Sequence, residues 1–201
     1  MPVRITASAI VGNAVVSGTN PATTTVPLAL GGGLVLGDTP AFITNTTIAL
    51  NSATQGGGLY NAGMGNPKSI TLTHVTVYSN TAAIAGGLFA DNAIWLRNSI
   101  VSQNTGGNCA GAILVQGDNL QYPGSACGGA TQDNPLLGTL ADHGGGTLTA
   151  DLLANSPAID LAAAAFCPGT DQRGVTRPQG AACDLGAFEF IAPLFLPLIL
   201  R

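Results

Sequence analysis

The sequence predicts an all-β chain wound as a right-handed, single-stranded parallel β-helix, a solenoid, with a disulfide-stapled C-terminal cap. Three observations carry this reading. Four blocks align without gaps, a Gly-Gly-Leu element recurs between them, and four cysteines gather late in the chain.

The blocks are VRITASAIVGN (3–13), AFITNTTIALN (41–51), ITLTHVTVYSN (70–80) and IWLRNSIVSQN (94–104). Stacked, they give columns. The first is Val3, Ala41, Ile70, Ile94, and the second Ile5, Ile43, Leu72, Leu96. The third is small or β-branched: Ser8, Thr46, Val75, Ser99. The fourth is Ile10, Ile48, Val77, Val101. The last is Asn throughout: Asn13, Asn51, Asn80, Asn104.

Columns one and two lie two residues apart, as on one face of a strand, and so do columns three and four. The step between the pairs is three residues. In a straight strand that step would send the pairs to opposite faces. A bend between two short strands keeps both pairs pointing inward, as at the corner of a solenoid. The bend residues are Ala7, Asn45, His74 and Asn98, and they are expected to face solvent. Asn tolerates left-handed turns, and stacked amides can bond along the axis, so the final column reads as a structural Asn ladder.

Gly-Gly-Leu begins at Gly32, Gly57 and Gly86. The glycines suit a tight corner with positive φ. The Leu opens a third strand, followed by Val35, Tyr60 or Phe89. The spacing between ladder Asn residues falls from 38 to 29 to 24, so the strand cores stay constant while loops vary. A Thr- and Pro-rich insertion at about 14–30 accounts for the longest spacing.

Composition agrees. The chain is 46% hydrophobic and only 8% charged, so it can bury a core and takes its surface polarity from amides and hydroxyls. A net charge of −4 with six scattered basic residues argues against a nucleic-acid partner.

Cys109, Cys127, Cys167 and Cys183 are separated within successive pairs by 18 and 16 residues. No C-x-x-C motif or nearby His suggests zinc. Two local disulfides, Cys109–Cys127 and Cys167–Cys183, are the preferred pairing of the three possible ones. They would place the protein in an oxidising compartment. No signal peptide is visible near Met1, so export would make this chain a fragment. The apolar tail, 191–201, holds two prolines and is too short for a membrane-spanning helix. The organisation expected is block stack at 1–130, cap at 131–190 and tail at 191–201.

The NTTI and GGGLYN rhythm resembles bacterial polymorphic-outer-membrane-type parallel β-helix proteins. The final third is similar to the choice-of-anchor Q domain. The matching stretches are NPLLGTLADHGGGTLT (134–149), LLANSPAID (152–160) and DQRGVTRPQGAACDLGAFE (171–189), with NCAG (108–111) and GDNL (117–120) earlier. Asn134 departs from the Asp usual before that Pro. The resemblance implies an exported, surface-associated β-helix of unassigned activity, and it supplies no catalytic residue.

Parallel β-helices often cleave polysaccharides, so an enzyme is the rival class. Such lyases and hydrolases need carboxylate clusters. The four blocks carry no Asp or Glu, and Asp38 and Asp91 fall in loops. The densest charge cluster is Asp171, Arg173, Arg177, Asp184 and Glu189. It reads as structural ion pairs that pin the final coil, because Arg forks bind carboxylates bidentately. Asp142, His143, Asp151 and Asp160 match no calcium loop, and Ser156 before Pro157 reads as a turn residue. Catalytic, cofactor and metal residues are therefore expected to be none.

Tyr60, Tyr78, Phe89 and Trp95 are candidates for a carbohydrate-stacking surface, with Trp95 outward by alternation. Thr44, Thr47, Thr71, Thr73 and Thr76 offer a hydroxyl face of the ice-binding kind. The expected role is a secreted or cell-surface structural or adhesive module, monomeric and without catalysis. Surface glycans or other cell-surface proteins are the candidate partners, and peripheral association with the cell envelope is possible.

Overall fold

A computed structural model describes residues 1–17, 28–63 and 68–193. The protein is all-β. Its strands are β1 (Val3–Val11), β2 (Leu34–Leu36), β3 (Ala41–Ala49), β4 (Leu59–Asn61), β5 (Ile70–Tyr78) and β6 (Leu88–Arg97). There follow β7 (Ile100–Ser102), β8 (Cys109–Gln116), β9 (Leu120–Tyr122), β10 (Thr131–Gln132), β11 (Leu137–Asp142) and β12 (Leu148–Leu152). β1 to β10 form one parallel sheet, an arrangement compatible with a β-helix, and β11 and β12 form an antiparallel pair.

The blocks pair in the register that their columns require. Val3, Ala41, Ile70, Ile94 and Ile113 are successive partners. So are Ile5, Ile43, Leu72, Leu96 and Val115. Ile10, Ile48, Val77, Val101 and Gln121 make a further line. A third line joins Leu34, Leu59, Leu88 and Cys109. The inward aliphatic residues of these lines form one buried cluster. Each fully buried Leu or Ile contributes about 1.5–3 kcal/mol by leaving water.

The step of three is a left-handed residue. Ala7 (φ 50), Asn45 (φ 46), His74 (φ 51) and Asn98 (φ 49) all adopt it. A second such bend precedes each ladder Asn, at Gly12, Leu50, Ser79 and Gln103. The glycines of Gly-Gly-Leu work differently from expectation. Positive φ falls one residue earlier, at Gly31, Gly56 and Ala85. The paired glycines are needed for close approach instead. A Cβ on Gly58 would sit 2.8 Å from the Gly87 carbonyl and 3.1 Å from the Asn80 amide.

Gln121 ends the fourth apolar line inside the sheet. Its Nε2 donates to the Ala130 carbonyl at 2.7 Å, and its Oε1 accepts the Cys127 N–H at 2.9 Å. The Cys109–Cys127 disulfide holds that loop against the last strands. The Cys167–Cys183 disulfide is also formed. Two disulfides point to an oxidising, extracellular-type environment. No helix among the described residues is long and apolar enough to cross a membrane.

The segment after β12 reaches past the last strands, touching β9 through Leu120. It packs along the flank of β3, β5 and β7. Ile100 and Leu120 join Leu137, Leu152, Leu185 and Phe188 in a second buried cluster there. The physical reason is that Ile100 and Leu120 fall between the inward columns and so give that flank an apolar surface to cover. The apolar tail lies outside the described residues from 194 onward.

Candidate functional site

Three places gather side chains that could carry function. The first is the Asn column. Asn51 Nδ2 donates to Asn80 Oδ1 at 2.9 Å, and Asn80 Nδ2 to Asn104 Oδ1 at 2.9 Å. Asn13 Nδ2 donates to Asn51 Oδ1 at 3.0 Å. Each Oδ1 also accepts the backbone N–H of the preceding ladder residue. The column gains Asn108, whose Oδ1 accepts from Asn104 at 3.0 Å. Asn108 follows Asn104 by only four residues, a spacing that the block alignment does not contain. The amides are fully engaged in each other and in backbone carbonyls, so this column holds the fold.

The second place is the flank covered by the C-terminal segment. Asn45 Nδ2 donates to the Thr170 carbonyl at 2.6 Å. Asn98 Nδ2 donates to the Ala163 carbonyl at 2.8 Å, and its Oδ1 accepts the Ala163 N–H at 3.1 Å. His74 is fully buried between them. The expectation that these bend residues face solvent is thus corrected: a segment distant in sequence lies over them. The same segment takes Thr47 and Thr76 out of the hydroxyl face. Thr47 donates to Gln172 Oε1 at 2.7 Å, and Thr76 Oγ1 accepts the Ala187 N–H at 3.0 Å. Both threonines are buried.

The charge cluster lies within this segment. Arg177 Nη1 is 2.7 Å from Glu189 Oε2, and Arg173 Nη2 is 2.7 Å from Asp171 Oδ2. Arg177 also donates to the carbonyls of Asp184 and Gly186, and its Nε is a buried donor without a partner. Glu189 accepts the Gln179 and Asp184 N–H groups besides Arg177. Arg173 stacks 3.5 Å from the Phe188 ring centroid. Asp184 differs from expectation. Its carboxylate pairs with no arginine and accepts the Asp160 N–H at 2.8 Å and the Phe190 N–H at 2.5 Å. Burial raises its pKa to about 6 against those two hydrogen bonds. Every lone pair used here goes to backbone or to arginine, which is the signature of a structural network.

The remaining polar candidates are local. Asp142 accepts the Gly144 N–H, Ser156 Oγ donates to the Pro135 carbonyl at 2.5 Å, and Asp160 accepts the Ala182 N–H. His143 Nε2 lies 3.5 Å from Asp151 Oδ1, and its ring meets Phe188 edge-on. Among the described residues, no group of three or more His, Cys, Asp or Glu is placed to hold a metal.

The third place is a depression of ≈ 360 Å³, lined by Leu30, Val35, Tyr60, Ala62, Gly63 and Asp91. Val35, Tyr60 and Phe89 are register partners on successive strands. The Tyr60 and Phe89 rings stack with centroids 5.1 Å apart and planes 13° from parallel. Tyr60 Oη donates to Asp91 Oδ2 in a short hydrogen bond. Burial, that hydrogen bond and the Asp91 charge together push the Tyr60 hydroxyl up to about 12. It therefore stays a neutral donor. The depression offers an aliphatic floor, an aromatic wall and one carboxylate at an exposed rim.

Of the four aromatic residues singled out in sequence, only Tyr60 and Phe89 meet. Tyr78 packs against the second cluster, and half-buried Trp95 stands between Thr71 and Leu114 on another face. Sequence reasoning left Asp91 in a loop. Its signal was present, since it follows Phe89 by two residues in one strand and so shares that face.

No family model, no curated protein and no solved structure matches the chain.

Proposed function

We propose that this protein is a right-handed parallel β-helix of the choice-of-anchor Q kind, secreted or held at the cell surface, and that it is a structural or adhesive module. The observation that carries this reading is the lateral depression at Tyr60. It pairs an aromatic wall with a single rim carboxylate, Asp91, already engaged by the Tyr60 hydroxyl. Polysaccharide cleavage needs at least two cooperating carboxylates, or one with a metal or base. Apolar and aromatic walls with few polar groups suit reversible binding of a sugar face.

The stack supports the same role. Parallel blocks in constant register give long lateral faces, and two disulfides suit life outside the reducing cytosol. The test is a glycan array with the disulfide-bonded protein, run beside turnover assays on acidic and neutral polysaccharides. Binding that is lost in Tyr60→Ala, with no turnover, is the expected result. Turnover of any polysaccharide would overturn the non-catalytic reading.

A further inference from the structure

Strands β11 and β12 pair antiparallel around a bulge. Leu137 faces Leu152 and Leu140 faces Ala150, so Gly138 and Thr139 together oppose Asp151. A bulge leaves its extra residue out of the ladder and re-aims the groups around it. Here it makes room for a carboxylate. A Cβ on Gly138 would collide with Asp151 Oδ1 and stand 2.8 Å from its carboxyl carbon. Asp151 Oδ1 is itself buried, and among the described residues it has no hydrogen-bond partner. An anionic oxygen in that state calls for a donor, an ordered water or a cation.

His143 stands in front of it. Its Nε2 is 3.5 Å from Asp151 Oδ1 and 3.1 Å from the Thr139 carbonyl, which belongs to the bulge. The imidazole is held in place. Its ring meets Phe188 at 5.7 Å between centroids and 81° between planes, and Arg173 backs Phe188. Asp142 Oδ1 accepts the Gly144 N–H at 2.9 Å and so sets the turn that follows. The His143 and Asp151 side chains are 23% and 27% exposed, enough for an ion and its waters to enter.

We propose that His143 Nε2, Asp151 Oδ1 and the Thr139 carbonyl hold a divalent transition-metal ion of the zinc class. Ligand atoms about 2.1 Å from one ion stand about 3.0–3.4 Å from each other in octahedral or tetrahedral geometry. The separations of 3.1 and 3.5 Å are close to that spacing. A proton serves this site poorly. A single Nε2–H directed at the Thr139 carbonyl leaves Asp151 Oδ1 unpaired, whereas one ion serves both oxygens. The ion takes the place of the Nε2 proton, and the neutral ring keeps its hydrogen on Nδ1. Imidazole beside carboxylate and carbonyl suits zinc, cobalt, nickel or copper, while calcium takes oxygen ligands. One ligand is main chain, and the bulge that aims it leaves no motif. This departs from the absence of metal residues that the sequence suggested.

The experiment is calorimetric titration of the disulfide-bonded 201-residue protein with Zn²⁺, and with Co²⁺, whose visible absorption reports its ligands. Expected are one ion per chain and binding at least about tenfold weaker in His143→Ala and in Asp151→Asn. Asp142→Asn, which keeps an acceptor for the Gly144 N–H, should bind as wild type does. If either site variant fails to fold, the ring-nitrogen resonances of wild-type His143 decide: Nε2 should shift as Zn²⁺ is added. No binding at millimolar Zn²⁺, equal binding in the site variants, or an unmoved His143 ring would overturn the proposal. His143 and Asp151 would then form an ion pair alone.

Discussion

Asn98 Nδ2 lies 3.0 Å from His74 Nε2, one block along the same bend column and beneath the C-terminal segment. The amide donates, so Nε2 must be an unprotonated acceptor. The burial of His74 and the charge of Arg177 push its pKa down to about 3, against backbone groups of Gly186, Asp184 and Phe166 that favour the cation. Asp160, Asp171, Arg173, Arg177, Asp184 and Glu189 are the charged groups of the covering segment, and β5 carries none besides His74 itself.

A pH dependence follows with a definite sign. The unfolded His74 binds a proton near pH 6.5, but the folded one does so only near pH 3. Stability is therefore fully present above pH 6.5 and is lost as pH falls toward 3. Asp184 works oppositely, because its folded pKa is raised to about 6 and protonation below that relieves a burial cost. The His74 shift is the larger, so the melting temperature should be lower at pH 4 than at pH 7. His74→Gln should flatten or invert that slope. A wild-type melting temperature that rises on acidification would contradict the buried neutral imidazole.

The Asn column predicts a graded response. Asn80→Ala removes a buried acceptor of two bonds and a donor of two, and leaves Asn51 and Asn104 unsatisfied. A loss of about 3 kcal/mol is expected. Asn13→Ala at the exposed head should cost under about 1 kcal/mol. Urea denaturation of both variants measures the difference, and equal costs would remove the ladder from the stability argument.

Close approach predicts a contrast between glycines. A Cβ on Gly57 would fall on the carbonyl oxygens of Thr81 and Gly86, whereas one on Gly169 meets nothing within 4 Å. Gly57→Ala should cost more than about 3 kcal/mol or prevent folding, because the backbone of the neighbouring β5–β6 connection would have to move at two points. Gly169→Ala should melt like wild type.

The Cys167–Cys183 disulfide closes the segment that covers His74. Replacing both cysteines by Ala should remove about 3 kcal/mol in the chain-entropy picture. Hydrogen exchange should then rise first around Ala163, Thr170 and Ala187, the residues bonded to Asn98, Asn45 and Thr76. Uniform destabilisation of the whole stack would mean that flank and stack unfold as one unit.

The sequence by itself determined the sheet. Inward Ile, Leu and Val recur with a period of two, and the step of three at Ala7, Asn45, His74 and Asn98 encodes a bend, so pairing register could be read from alignment alone. Any slip by one residue would turn every aliphatic side chain outward. The choice of cysteine partners was legible for a related reason, since short separations favour local closure. Only the tertiary structure decided where the C-terminal segment goes. Thr47 and Gln172 bond across 125 residues of chain, and polar contacts of that kind leave no period in a sequence. For the same reason His74 read as a surface residue and Asp184 as an ion-pair partner. Burial is set by what lands on a residue, and the chain that lands here is specified by hydrogen-bond geometry and by Ile100 and Leu120, whose apolar side chains needed a cover.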